Sequence, residues 1–190
     1  GITYISENVN VEVPAAKAGA DVLMNKLMYA GKWNTLCVPF AMSASKISEI
    51  FGEGAEVQTY ASFADNNVTL KKVESIEANK PYVVMPDVDL LEPFLVEGVD
   101  LEPSEAVKIG DDCVMTGVYA PVNAHSGREY NYSFAPNGKI YTYTDHTVKF
   151  SPLSVILKPK KVAALTATLE GNTAPVLPEP SSRDAFSQAQ

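Results

Sequence analysis

Cysteine and histidine, two residue types that carry much enzyme and metal chemistry, are scarce in this sequence. The 190 residues include two cysteines, Cys37 and Cys113, and two histidines, His125 and His146. Neither cysteine belongs to a CxxC pair or stands near several histidines, as a zinc site would require. This scarcity argues against a metal centre and against thiol redox chemistry. Because each cysteine lies within an apolar run, we expect two buried free thiols, with a mutual disulfide as the alternative.

Long apolar runs and an excess of positive charge are also lacking. The longest apolar runs, such as residues 82–85 and 155–157, are far shorter than the roughly 18 residues that cross a bilayer. Fifteen basic residues stand against 23 acidic ones, and the net charge of −8 repels phosphate backbones and anionic membrane surfaces. We therefore expect neither a transmembrane segment nor a nucleic-acid partner.

The motifs of common hydrolases and nucleotide-binding proteins are missing as well. Ser126 follows His125, but no G-x-S-x-G pattern surrounds this serine. The glycines of residues 52–54 follow a predicted helix rather than open one, so they do not form a phosphate-binding loop. A pair of carboxylates for glycoside hydrolysis could still come from the 23 acidic residues. A glycoside hydrolase therefore stays open as a less favoured alternative.

Short extended segments separated by turn residues dominate the chain. Their alternating apolar and polar positions predict strands, and their number exceeds one comfortable sheet. The sequence predicts an all-β fold, a two-layer antiparallel β-sandwich of jelly-roll-like or Greek-key type. The predicted strands are residues 9–13, 22–29, 33–38, 57–62, 68–76, 82–85, 114–119, 129–134, 140–144 and 154–158.

One segment reads as a short helix. Ser45 can cap its start, Ile47, Ile50 and Phe51 fall on one face, and Gly52 suits the position after its end. We expect this to be the single short helix of the β-sandwich.

The sharpest local signal is a turn at residues 135–138, Ala-Pro-Asn-Gly. Proline fixes φ at the first turn position and glycine accepts the left-handed conformation, so the sequence predicts a hairpin with a bulged type I turn. Its strands place Phe134 opposite Ile140 and Tyr132 opposite Thr142 on a core-like face.

The opposite face of this hairpin carries the candidate ligand-binding residues Tyr141, Tyr143, Asn131 and Ser133. Aromatic rings can stack on the C–H faces of sugars while amides and hydroxyls form hydrogen bonds, so a flat strip of this kind would suit a carbohydrate or a protein. The favoured alternative is that a second sheet covers this face and makes both tyrosines ordinary core. Trp33 is predicted to be a core anchor rather than a stacking ring.

Composition suggests three parts of the chain. Residues 1–21 are predicted to be an N-terminal strand segment that packs on the main domain, and residues 22–161 to be the β-sandwich. Residues 162–190 form a Pro/Ser/Ala-rich C-terminal tail by their composition.

A resemblance to a known family rests on the string GKWNTLCVPF at residues 31–40. The pieces IEANKPY, GVYAP and NGKIY follow in the same order at residues 76–82, 117–121 and 137–141. Together they resemble an uncharacterised β-rich module of secreted and surface proteins from Bacteroidetes, with the pattern GxWNTLCxPF. The resemblance implies a surface-exposed or lipid-anchored accessory module, sometimes attached to leucine-rich-repeat adhesins, with no established catalytic residues. The final strand, residues 152–157, departs from the aromatic, arginine-containing strand of that family.

These observations lead to an expected function. We expect a non-catalytic accessory domain of the extracellular or outer-membrane surface, with its signal peptide removed, that mediates adhesion or contact with a glycan or a protein. We expect no catalytic residue, no metal and no cofactor. A purely structural spacer, or a C-terminal module of a larger secreted protein, is the alternative.

Overall fold

The computed structural model describes residues 1–172, and strands are the main regular elements there, beside one short α-helix. This confirms the predicted all-β, sandwich-like fold. No helix within these residues has the length and apolar character needed to cross a membrane. The elements are β1 (Ile2–Ser6), β2 (Lys17–Asn25), β3 (Asn34–Leu36), α1 (Ala44–Phe51), β4 (Glu56–Ala64), β5 (Asn67–Val73), β6 (Tyr82–Met85), β7 (Phe94–Leu101), β8 (Lys108–Ile109), β9 (Cys113–Gly117), β10 (Val122–Asn123), β11 (His125–Ser126), β12 (Glu129–Tyr130), β13 (Ser133–Phe134), β14 (Ile140–Tyr141), β15 (Lys149–Phe150), β16 (Val155–Pro159), β17 (Thr166–Thr168) and a 3-10 turn (Glu170–Asn172).

Three larger sheets and three two-stranded pairs make up the fold. A five-stranded sheet has the order β17-β5-β4-β6-β3, and two three-stranded sheets have the orders β1-β2-β7 and β16-β9-β8. The pairs are β10-β15, β11-β12 and β13-β14. Most neighbours are antiparallel, as predicted, but β1 runs parallel to β2 and β17 runs parallel to β5.

The hydrophobic core lies on both faces of the five-stranded sheet. Val84 of β6 joins a cluster that includes Val22 of β2 and Phe51 of α1. Its neighbour Val83 points the opposite way and joins a cluster that includes Met115 of β9. Successive side chains of a strand project to opposite faces, so one apolar strand serves two layers.

The single α-helix of the described chain is capped two residues earlier than the sequence predicts. Ser43, not Ser45, is the N-cap, because its hydroxyl accepts a hydrogen bond from the Lys46 N–H at 3.1 Å. Gly52 ends the helix at φ 96°, as expected. Ile47 and Phe51 are the buried residues of its apolar face.

One predicted strand is absent from the structure, and one predicted turn is confirmed. Residues 9–13 form no strand, although Val11 and Val13 are buried, because their backbone N–H groups bond to Tyr119 and Ser104 instead of to a ladder. The predicted hairpin turn is confirmed, with a hydrogen bond from Gly138 N–H to the Ala135 carbonyl at 2.8 Å.

Both ends of the described part of the chain, residues 1–172, join the larger sheets. Strand β1 pairs with β2, and β17 pairs with β5. Glu170, in the 3-10 turn after β17, exchanges backbone-to-side-chain hydrogen bonds of 2.9 and 3.0 Å with Gln58 of β4. Residues 162–172 of the predicted tail are therefore placed on the domain. The rest of that tail, residues 173–190, lies outside the described residues.

Candidate ligand-binding cleft

The predicted hairpin has the expected register but is much shorter than predicted. Phe134 pairs with Ile140 and Ser133 pairs with Tyr141, and the ladder then stops. Tyr132 instead forms a bridge with Leu157 of β16. The hairpin therefore ends where a neighbouring strand takes over its hydrogen bonds.

The four predicted ligand-binding residues do not form an open, flat strip. Tyr141 is 7% exposed and Ser133 is 3% exposed, and the Ser133 hydroxyl donates a hydrogen bond of 2.7 Å to the Val155 carbonyl. The chain from Phe150 to Ile156 covers this face and forms a small cluster with Tyr141. Tyr141 is therefore covered, as the favoured alternative expected, whereas Tyr143 is half-buried.

Three of these four residues nevertheless line one cleft, of about 410 Å³. Ser133, Tyr141 and Tyr143 form one wall, whereas Asn131 is half-buried and donates its amide to the Asn123 carbonyl at 2.9 Å. A cleft of this volume falls in the range of about 300 to 1,000 Å³ that small-molecule sites occupy. The remaining described walls come from residues 26–35 and 148–154 and from Glu7.

The aromatic wall is held by ring-to-ring contacts. The rings of Tyr141 and Tyr143 meet edge to face, with centroids 5.6 Å apart at 90°. Phe150 packs against Tyr141 in a similar way, at 5.8 Å and 70°. Such arrangements are the favoured geometries of aromatic pairs. Tyr143 remains half-buried, so part of its ring is open to a ligand.

Tyr29 is an exposed tyrosine that also lines the cleft. The Lys32 ammonium lies over its ring, 4.9 Å from the centroid, which is cation–π geometry. The cleft lining therefore contains an exposed aromatic ring in addition to Tyr141, Tyr143 and Phe150.

Lys26 is the unexpected residue of the cleft, since it is only 6% exposed. Burial disfavours its charged form and lowers its pKa, while the nearby negative charge of Glu7 acts in the opposite direction. Among residues 1–172, its ammonium group takes part in no ion pair or hydrogen bond. The Glu7 carboxylate is itself held by the Leu27 N–H at 2.9 Å. One feature of the sequence could have indicated that Lys26 is unusual, because this lysine lies within the largely apolar segment 22–29.

Trp33 lines the same cleft and is buried, with 2% exposure, as the sequence predicted for a core anchor. Its backbone N–H donates to the Pro136 carbonyl at 3.0 Å, which ties the start of β3 to the hairpin turn. The indole Nε1 is buried and has no hydrogen-bond acceptor in the described part of the chain. A buried N–H in this state is uncommon and costs free energy.

The histidines lie away from the cleft. The His125 ring stacks on Tyr130 and on His146, with both centroid distances at 4.0 Å. Its Nδ1 and Nε2 atoms each lie 2.9 Å from a backbone carbonyl oxygen, of Thr144 and Gly127. This geometry fixes the loop and leaves neither ring nitrogen directed at the cleft.

Both cysteines are free and fully buried, so the expected thiols are present and the disulfide alternative is wrong. Burial raises the pKa of Cys37 to about 11 and that of Cys113 to about 12, which keeps both thiols protonated at neutral pH. The Cys37 sulfur lies 3.4 Å from the Tyr119 hydroxyl. Across residues 1–172, no group of three or more His, Cys, Asp or Glu side chains could hold a metal ion.

Comparisons with protein-family models, curated proteins and solved structures find no match to this chain. The resemblance to a Bacteroidetes surface module therefore stays a prediction from the sequence.

Proposed function

We propose that this chain is a non-catalytic accessory domain of the extracellular surface that contacts a glycan through the cleft. The observation that carries the proposal is the composition of the cleft walls. The rings of Tyr29 and Tyr143 line a space that polar side chains also line, including Asn34 and Lys149. Apolar ring faces and a few placed polar groups are the chemistry that sugars require.

A binding role fits the cleft better than a hydrolytic one. Glycoside hydrolysis uses two carboxyl groups about 5 to 9.5 Å apart, on either side of the scissile bond. Glu7 is the one acidic side chain among the described residues that line the cleft. The extracellular location has a different basis, the resemblance of residues 31–40 to a surface module.

Trp33 makes the proposal directly testable, because it is the only tryptophan of the chain and lines the cleft. An array of neutral and acidic glycans would select ligands, and each would then be titrated while tryptophan emission is recorded. We expect a saturable change in emission for at least one oligosaccharide.

The variant Tyr143→Ala removes one stacking ring and should weaken binding about three- to tenfold. Tyr4→Ala is the matched control, because Tyr4 is an exposed tyrosine on β1 that does not line the cleft. Absence of binding to any glycan on the array would refute the proposal and favour the spacer alternative. Binding of a surface protein that Tyr143→Ala weakens, with no glycan bound, would replace it with a protein-contact role.

A further inference from the structure

We infer that the ligand of the cleft is an anionic sugar whose carboxylate or sulfate is bound by the ammonium group of Lys26. This inference rests on the proposed function and specifies its ligand. It starts from the rarity of the arrangement: lysine is almost never fully buried unless its charge is paired. Lys26 is 6% exposed and, within residues 1–172, has no hydrogen-bonding or ion-pairing partner.

The charge of the cleft differs from that of the whole chain. The chain carries a net charge of −8, but Lys26 and Lys149 line the cleft together with a single described acid, Glu7. The Glu7 carboxylate already accepts the Leu27 N–H, so part of its charge is satisfied locally. The cleft therefore presents more positive than negative charge, which favours an anionic ligand.

Hydrogen-bond donors point to the same conclusion. The Trp33 Nε1–H is a buried donor without an acceptor among the described residues, the Lys26 ammonium makes no hydrogen bond to them, and both side chains line the cleft. A carboxylate or sulfate offers several acceptor atoms and no donor, so it matches this imbalance. The aromatic rings at the rim would cover the sugar ring that carries the anionic group. A bare inorganic anion would leave those rings unused.

The sharpest test uses two ligands that differ only in charge. Oligogalacturonate and its methyl ester would each be titrated into the protein, with Trp33 emission as the readout, and a sulfated galactan oligosaccharide would distinguish sulfate from carboxylate. We expect wild type to bind one of the two anionic ligands at least tenfold more tightly than the ester. Added salt should weaken the anionic binding only.

Lys26→Met removes the charge and keeps an unbranched side chain that is one heavy atom shorter. It should weaken binding of the anionic ligand roughly ten- to hundredfold, the loss typical of a hydrogen bond to a charged group, and leave binding of the ester unchanged. Lys71→Met, at an exposed lysine of β5, is the matched control and should change neither. A thermal melt of each variant at pH 7 shows that it is folded.

Equal affinity for the charged and esterified ligands, or an anionic affinity that Lys26→Met leaves intact, would overturn the inference alone. Neutral glycans would then still bind on the array, and the proposed function would stand. Failure of every glycan to bind would overturn both. Tighter binding of a polyglutamate peptide than of any anionic sugar would replace the sugar with an acidic protein segment.

Discussion

Replacing Lys26 with methionine should make this protein more stable at neutral pH, although it removes a charged group near an opposite charge. The carbon stem of lysine and the side chain of methionine bury similar apolar surface, so that contribution nearly cancels. What differs is the ammonium group, which belongs to a residue that is only 6% exposed. Its desolvation outweighs the attraction of Glu7, because the pKa of Lys26 is lowered overall.

The size of the stability gain can be estimated from known replacements of buried ionic groups by apolar ones. Such replacements are often neutral or stabilise a protein by about 1 to 4 kcal/mol. Glu7 offsets part of the desolvation of Lys26, so we expect the lower part of that range, about 1 to 2 kcal/mol. For a chain of this size, each kcal/mol raises Tm by about 2 to 4 °C, so Lys26→Met should raise Tm by about 2 to 8 °C.

The dependence on pH gives a second, sharper signature. The folded-state pKa of Lys26 lies below the ordinary value of 10.5, so between these two values the unfolded chain binds more protons than the native one. Native stability therefore rises with pH across that window as Lys26 loses its proton. Lys26→Met lacks this gain, so its advantage over wild type should shrink as the pH rises from 7 toward 10.

The assay is thermal or urea unfolding of wild type, Lys26→Met and Lys71→Met at pH 7 and pH 10, followed by circular dichroism. Lys71→Met should match wild type, since its lysine is exposed. Glu7→Gln keeps an acceptor for the Leu27 N–H but removes the compensating charge, and it should lower stability. A Lys26→Met protein that is less stable than wild type by more than about 1 kcal/mol at pH 7 would refute the burial argument.

Two further predictions test the core. Cys37 and Cys113 are buried, and their pKa values are raised to about 11 and 12, so neither thiol should react with Ellman's reagent at pH 8 in the native protein. Two thiols should react after unfolding in guanidinium. Rapid reaction of the native protein, or fewer than two reactive thiols after unfolding, would contradict this prediction. Gly117→Ala would place a Cβ atom 2.1 Å from the Cys37 sulfur, so we expect a loss of about 1 to 3 kcal/mol in unfolding free energy from overpacking. The double variant Gly117→Ala/Cys37→Gly should recover part of that loss. An unchanged Tm for Gly117→Ala alone would contradict the prediction, because it would show that neighbouring side chains move to accommodate the added methyl group.

Local chemistry made the fold class and the hairpin turn predictable. The Pro-Asn-Gly sequence at residues 136–138 determines its own backbone geometry, and the short apolar run at residues 82–85 predicts a strand without knowledge of its partner strands. Strand β7 was missed because Glu97, Gly98 and Asp100 interrupt its apolar pattern. Those residues face outward beside β2, where the Gly98 N–H bonds to the Asp21 carboxylate at 3.1 Å, so only the pairing explains them.

The cleft was less predictable because its walls are far apart in the sequence. Tyr141 and Tyr143 were identified from the hairpin, but whether they face solvent depended on the chain around Phe150, which no local pattern places. Lys26 shows most clearly what the sequence alone does not predict. Within a strand pattern a lone lysine is usually a solvated side chain, and only the folded chain shows that this one is buried and unpaired beside Trp33. A buried lysine is expected to weaken the fold, so its presence in a ligand-sized cleft is more readily explained by ligand binding than by a structural role. For this reason we infer the class of ligand from Lys26 and not from the tyrosines.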